Sequence, residues 1–212
     1  MKVMLVGATG LVGGHVLRQL LDDPRCDAVV APTRRPVGVT DAALLNPVVD
    51  FAQLPAEADW WAVDAVICAL GTTIKQAGSK EAFARVDHDF PLAVARRARA
   101  QGAHAFALNS AMGADPDARI FYNQVKGRLE HGLRDLGYPS LTLVRPGLIG
   151  GERAERRTGE HLASVVLGVL GPVLPRAWRI NPAERIAAAL VEAVLVPTPG
   201  VRIVGSADLA ER

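Results

Sequence analysis

Tyr122 and Lys126, in the run Tyr122-Asn123-Gln124-Val125-Lys126, are four residues apart. On a helix that spacing puts a phenol and an ammonium on one face. A positive charge beside a phenol favours its deprotonated form, so the phenol can exchange a proton with a substrate oxygen. Ser110 stands upstream at the end of an apolar run, where its hydroxyl can hydrogen-bond the same oxygen as charge develops on it. Together the three make a site for hydride transfer at the carbon that carries that oxygen. The chain has only two tyrosines and four lysines, so this spacing is an uncommon coincidence. The bland alternative is a helix aromatic beside a solvated charge.

A hydride must come from or go to a cofactor, and the start of the chain is built to hold one. Directly after the apolar run Lys2-Val3-Met4-Leu5-Val6 comes Gly7-Ala8-Thr9-Gly10-Leu11-Val12-Gly13. Small residues there allow a tight turn, close approach of pyrophosphate oxygens to N–H groups at a helix N-terminus, and close packing of helix on strand. Where an acid would bind a ribose 2′-hydroxyl, the chain reads Ala31-Pro32-Thr33-Arg34-Arg35. Two guanidiniums favour a 2′-phosphate, so the expected cofactor is NADP(H), with NAD(H) the alternative. Asp50 is a candidate acceptor for the adenine amino group or a turn cap. The segment Leu70-Gly71-Thr72-Thr73 gives a further close approach of backbone to cofactor. The expected cofactor-binding set is Gly7, Thr9, Gly10, Leu11, Gly13, Arg34, Arg35, Asp50, Phe51, Leu70, Gly71, Thr72, Tyr122, Lys126 and Pro146.

These residues need a frame, and the pattern of the chain supplies one. Short apolar strands alternate with helix-period segments, which predicts an α/β, doubly wound parallel sheet (a Rossmann fold) of about seven strands with helices on both faces. Strands are expected near 2–6, 27–32, 47–50, 63–69, 104–109, 140–145 and 201–204. Helices are expected between the first two strands, over 79–101 with a discontinuity near Asp87 to Pro91, and over 117–136. A last helix should start at Asn181-Pro182-Ala183-Glu184, with Asn181 as cap and Glu184 closing a capping box.

With 212 residues, half of them apolar, the chain reads as one domain, its substrate side built from about 147–180. Net charge is +2, with basic residues interleaved among carboxylates, which argues against nucleic acid as a partner. The arginines of 150–160, Arg153, Arg156 and Arg157, alternate with acids and read as a solvated loop. The uncharged run 162–175 contains glycines and prolines and is too short to span a bilayer, so no membrane insertion is expected. Five scattered histidines show no metal-ligand spacing, and no metal is expected. Cys68 reads as a buried apolar residue, and the chain starts in a strand without signal-peptide character. The expected localisation is cytoplasmic.

Taken together, the glycine turn, Leu70 to Thr73, Val86-Asp87-His88-Asp89, Ser110 to Gly113, Tyr122 to Lys126 and Arg145-Pro146-Gly147 resemble the atypical short-chain dehydrogenase/reductase superfamily. The chain is similar over nearly its whole length to the Tat-interacting-protein-like branch. The resemblance implies Tyr122 as acid/base, Lys126 on the nicotinamide ribose, Ser110 polarising a carbonyl, and NADPH on the glycines. It also implies a homodimer through the helices at 87–101 and 117–136, and a protein partner. One departure stands out: the superfamily often places an asparagine where this chain has Asp87, which puts the usual proton relay in doubt. The implied activity is NADPH-dependent oxidoreduction of a small carbonyl or alcohol. The alternatives are an NADP(H)-sensing regulatory protein and an NAD-linked sugar-nucleotide epimerase or dehydratase.

Overall fold

Alternate residues of β1 (Lys2–Val6) face opposite ways, Val3 and Leu5 into one apolar cluster and Met4 and Val6 into another. β4 (Ala65–Cys68) and β5 (Ala105–Asn109) repeat the division: Ile67 and Ala107 go to the first cluster, Val66, Cys68, Phe106 and Leu108 to the second. A strand apolar on both sides needs a layer over each face. α1 (Leu11–Asp22) and α6 (Ala183–Leu195) cover one, α4 (Phe90–Ala100) and α5 (Phe121–Asp135) the other. The computed structural model describes residues 1–150, Pro175 and 179–210. The expected arginines of 150–160 and the apolar run from Leu162 lie outside the described residues, as does most of the expected substrate side.

All neighbours in the seven-stranded sheet are parallel, in the order β3-β2-β1-β4-β5-β6-β9, with β2 Ala28–Val30, β3 Leu44–Leu45, β6 Ser140–Arg145 and β9 Gly200–Gly205. A separate short pair joins β7 (Ile149–Gly150) to β8 (Asn181–Pro182). From β1 the chain winds outward first one way and then the other, so the loops after β1 and β4 part and leave a crevice at their carboxyl ends. The loops after β5 and β6 open on the same edge.

Two local expectations are corrected, at the third strand and at the last helix's cap. The third strand lies at Leu44–Leu45 and not at 47–50, where only a bridge between Thr33 and Val48 remains. Pro47 has no N–H to give, and the Asn46 side chain takes over, donating to Ala31 O and Thr33 Oγ1. The expected discontinuity near Asp87 is present: α3 (Lys80–Ala84) ends in a π-helical turn, Arg85–Asp89, and α4 begins at Phe90 with Pro91 in its first turn. Phe90 N–H bonds Arg85 O, and this wider turn accommodates Pro91, which cannot donate. Asn181 does not cap the last helix: Pro182 stands at its N-cap, and the Asn181 side chain is used elsewhere.

Candidate active site

Gly7 turns the chain out of β1 at φ +92°, and a Cβ there would lie 2.6 Å from the backbone of Ala69 and Leu70. A Cβ on Gly13 would lie 2.0 Å from Gly7 O, so the first turn of α1 presses on the strand exit with no room for a side chain. Gly10, the N-cap, gives no side-chain cap, leaving the first N–H groups of α1 to face the crevice. This cradle fits a pyrophosphate between backbone donors.

Across the crevice, Arg34 and Arg35 are exposed on a loop that is tied down beneath them. Thr33 Oγ1 donates to Arg35 O at 2.7 Å, and Asn46 Oδ1 accepts from Val37 N at 2.9 Å. Asp50 takes the role of cap, accepting from Ala52 N at the head of a short helical turn, Phe51–Gln53. Phe51 is buried and stacks on Phe90, 5.9 Å between centroids.

Tyr122, Lys126 and Glu130 follow one another at intervals of four on the inner face of α5. The Tyr122 ring packs 5.7 Å from Phe83, with Lys126 Nζ 6.0 Å from its centroid. Lys126 and Asp87 form an ion pair at 2.9 Å, their side chains 4% and 1% exposed. Asp87 Oδ2 also accepts from Thr72 N at 2.8 Å, and Gly71 passes so close that a Cβ would lie 3.2 Å from Asp87 Oδ1. Burial alone would push the Lys126 ammonium down, but the Asp87 carboxylate and the Tyr122 phenol oppose it and hold its pKa above the ordinary lysine value. The place where an asparagine was expected to complete a relay thus holds a counter-ion. Cys68 lies behind this pair, and burial pushes its thiol up to about 11, which leaves it inert.

Ser110 is brought to the same edge, but its hydroxyl points inward and donates to Glu130 Oε1 at 2.5 Å. Arg145 grips the same carboxylate with two donors, Nε to Oε1 at 2.9 Å and a terminal nitrogen to Oε2 at 2.5 Å. Glu130 is 2% exposed, and its hydrogen bonds raise the Arg145 guanidinium further. Sequence reasoning missed Glu130. Its signal was a carboxylate between Leu129 and Leu133 on an otherwise apolar helix face, one turn beyond Lys126.

Between these groups opens a cavity of about 350 Å³, with Ser110, Met112 and Tyr122 on one side and Pro146, Leu148 and Ile149 on the other. Met112 N donates to Pro146 O at 2.8 Å, joining the two walls. The second wall is held from behind by the fully buried Asn181: Oδ1 accepts from Gly147 N and Ser206 Oγ, and Nδ2 donates to Ser206 O. Leu70 and Thr72 lie partly buried on the loop after β4, and Thr9 and Leu11 flank Gly10 in the first turn.

No family model matches the chain. Over 184 residues it is 35% identical to the protein named fmp52, mitochondrial, of Emericella nidulans, covering 81% of this chain and 77% of that protein. Over 206 residues it is 33% identical to the protein HTATIP2 of Rattus norvegicus, covering 94% and 83%. The chain belongs to the fmp52/HTATIP2 family. That is the Tat-interacting-protein-like branch which the motifs resemble. Among solved structures, MoeE5 in complex with UDP-glucose and NAD superposes with a TM-score of 0.73 at 16% identity, covering 97% of this chain and 76% of that one. The PhqB reductase domain from Penicillium fellutanum gives 0.67 at 20%, covering 96% and 66%. At such identities the likeness is one of fold, and that fold is the Rossmann fold.

The expected cytoplasmic localisation is corrected by the same relatives, since the fmp52 proteins of Emericella nidulans, Aspergillus fumigatus and Aspergillus clavatus are all named mitochondrial. The expectation leaned on buried thiols, and these are compatible with any reducing compartment. Among the described residues no helix is long and apolar enough to cross a membrane.

Proposed function

We propose that the chain is an NADPH-dependent oxidoreductase acting on a small carbonyl or alcohol. The observation that carries this reading is that Tyr122 and Ser110 line one cavity at the sheet edge that also bears the glycine cradle, with Lys126 buried behind Tyr122, its ammonium 6.0 Å from the ring centroid. A nicotinamide dinucleotide, when bound, supplies the hydride donor or acceptor. Gly7, Gly10 and Gly13 seat its pyrophosphate, and Arg34 and Arg35 face a 2′-phosphate. Tyr122 gives the carbonyl oxygen its proton on reduction and takes it back on oxidation. Lys126, kept charged by Asp87, lies under the phenol and binds the ribose. Ser110 lines the cavity beside that oxygen's position and would have to turn its proton away from Glu130 to donate to it.

That engagement favours a second reading, a nucleotide-binding regulatory protein with little turnover, because Ser110 does not offer a donor to a carbonyl as it stands. Thermal stability with NADP, NADPH, NAD and NADH separates cofactors, since a ligand that binds only the folded state raises its melting temperature. NADPH consumption over a panel of aldehydes and ketones then separates the readings. The oxidoreductase reading requires a rate that falls by about a hundredfold or more in Tyr122→Phe, with cofactor stabilisation retained. Equal rates in parent and variant sink it, and stabilisation by NAD alone sinks the assignment to Arg34 and Arg35.

A further inference from the structure

Both cations beneath the cavity are matched by a buried carboxylate of their own. Lys126 pairs with Asp87 at 2.9 Å, and Arg145 lies on Glu130 with two hydrogen bonds. Ser110, the polar group at the floor, gives its proton to Glu130 as well. Among the described residues, the floor therefore carries no uncompensated positive charge to attract an anion. The walls are apolar: Met112, Pro146, Leu148 and Ile149 face the space. Of these, Met112 and Leu148 stay 39% and 54% exposed. A cavity of about 350 Å³ lies at the small end of ligand sites, of order 300–1,000 Å³. Its walls are fixed by the bonds from Asn181 to Gly147 and from Met112 to Pro146, so the apolar shape is built in.

We infer that the site takes a small, uncharged, apolar aldehyde or ketone and its alcohol, and discriminates against carboxylate-bearing and nucleotide-linked analogues. The inference rests on the oxidoreductase reading for its chemistry. Its physical basis is separate: an anion entering this space loses water and meets no unpaired cation among the described residues, which is costly. An apolar ring or short chain gains by burial against Met112 and Leu148. In reduction, a bound reduced nicotinamide would supply the hydride to the carbonyl carbon and be left oxidised, the C=O π pair moves to oxygen, and Tyr122 gives that oxygen its proton and regains one from solvent, so the alcohol leaves uncharged.

The test compares benzyl alcohol with 4-(hydroxymethyl)benzoate, which differ by one carboxylate, binding to the NADPH-loaded protein, where neither can react. Titration calorimetry is expected to show the neutral alcohol binding tighter by about tenfold or more. Leu148→Arg, at an exposed position outside the proton-transfer machinery, is expected to reverse the order. Equal or tighter binding of the carboxylate by the parent overturns the inference, as does a Leu148→Arg variant that keeps the parent's preference. If NADPH itself fails to bind, the oxidoreductase reading fails. The same pair titrated against the cofactor-free chain then decides the class of ligand by the same criterion, so the two failures remain distinct.

Discussion

Replacing Asp87 by Asn removes one charge and almost no volume from beneath the site. The amide can still accept from Thr72 N–H, so the loop after β4 keeps its bond, but Lys126 loses its counter-ion while remaining 4% exposed. Removing one partner of a buried pair costs about 3–5 kcal/mol, and the retained hydrogen bond puts this case near 3. For a chain of this size that corresponds to a fall in melting temperature of about 6–12 °C. The sign of the pH dependence follows from Lys126. In the parent its pKa is raised above 10.5, so its contribution to stability is complete below that value and is lost only as pH climbs through the folded-state value. Without Asp87 the dominant influence left is burial, opposed only by the Tyr122 phenol and the Cys68 thiol, and the folded-state pKa drops below the unfolded one. Folding is then penalised at neutral pH, and the penalty fades as pH approaches 10.5. Urea denaturation of parent and variant near pH 7 and near pH 10 measures both effects. A variant within about 1 kcal/mol of the parent at neutral pH, or a deficit that grows with pH, would refute the role given to the pair.

Gly13→Ala would place a methyl 2.0 Å from Gly7 O, so it should lower the melting temperature and abolish stabilisation by NADP(H); normal stabilisation would mean that the cradle is not the cofactor site. Asn181→Ala strips partners from Gly147 N and from Ser206, and should cost about 1–3 kcal/mol in urea denaturation; a neutral effect would show that the second cavity wall is held by other contacts. Cys68, fully buried with its thiol pushed to about 11, should resist alkylation at neutral pH until the chain unfolds, and rapid labelling of the folded protein, followed by mass spectrometry, would contradict its placement.

Sequence patterning located the sheet well because five of its strands are apolar runs buried on both faces, which the pattern reports directly, and β9, broken by Arg202 and largely exposed, still alternates apolar residues at the sheet edge. It failed at β3, where a single Pro47 shifts pairing from backbone to the Asn46 side chain, a substitution no periodicity can show. It likewise read Asn181-Pro182-Ala183-Glu184 as a cap, since composition favours that use, whereas burial next to Ser206 and Gly147 decides otherwise. Tyr122 and Lys126 were legible because both lie on one helix and their spacing is local. The partners Asp87 and Arg145 come from other segments, and only the π-helical turn and the β6 register bring them to α5.

Buried ion pairs contribute little net stability, because desolvation cancels most of their Coulomb attraction, and apolar residues of like volume often do as well. Two such pairs on one face of α5 therefore call for an account other than stability. Their geometry supplies one. Asp87 ties Lys126 to the π-helical turn and to the loop after β4, while Glu130 ties the same helix to Ser110, just past β5, and to Arg145 on β6. Four segments that end at the sheet edge are thereby fixed against the helix that carries Tyr122, and each pair is electrically closed. A site built to grip a diphosphate would need guanidiniums left open toward the ligand. Arg34 and Arg35 are exposed guanidiniums across the glycine turn from the cavity, at the proposed place of the cofactor's 2′-phosphate. Among the described residues, this separation of open positive charge at the proposed cofactor end from paired charge at the proposed substrate end is the ground for proposing a neutral carbonyl over a nucleotide-linked sugar, although MoeE5, solved with UDP-glucose, shares the fold.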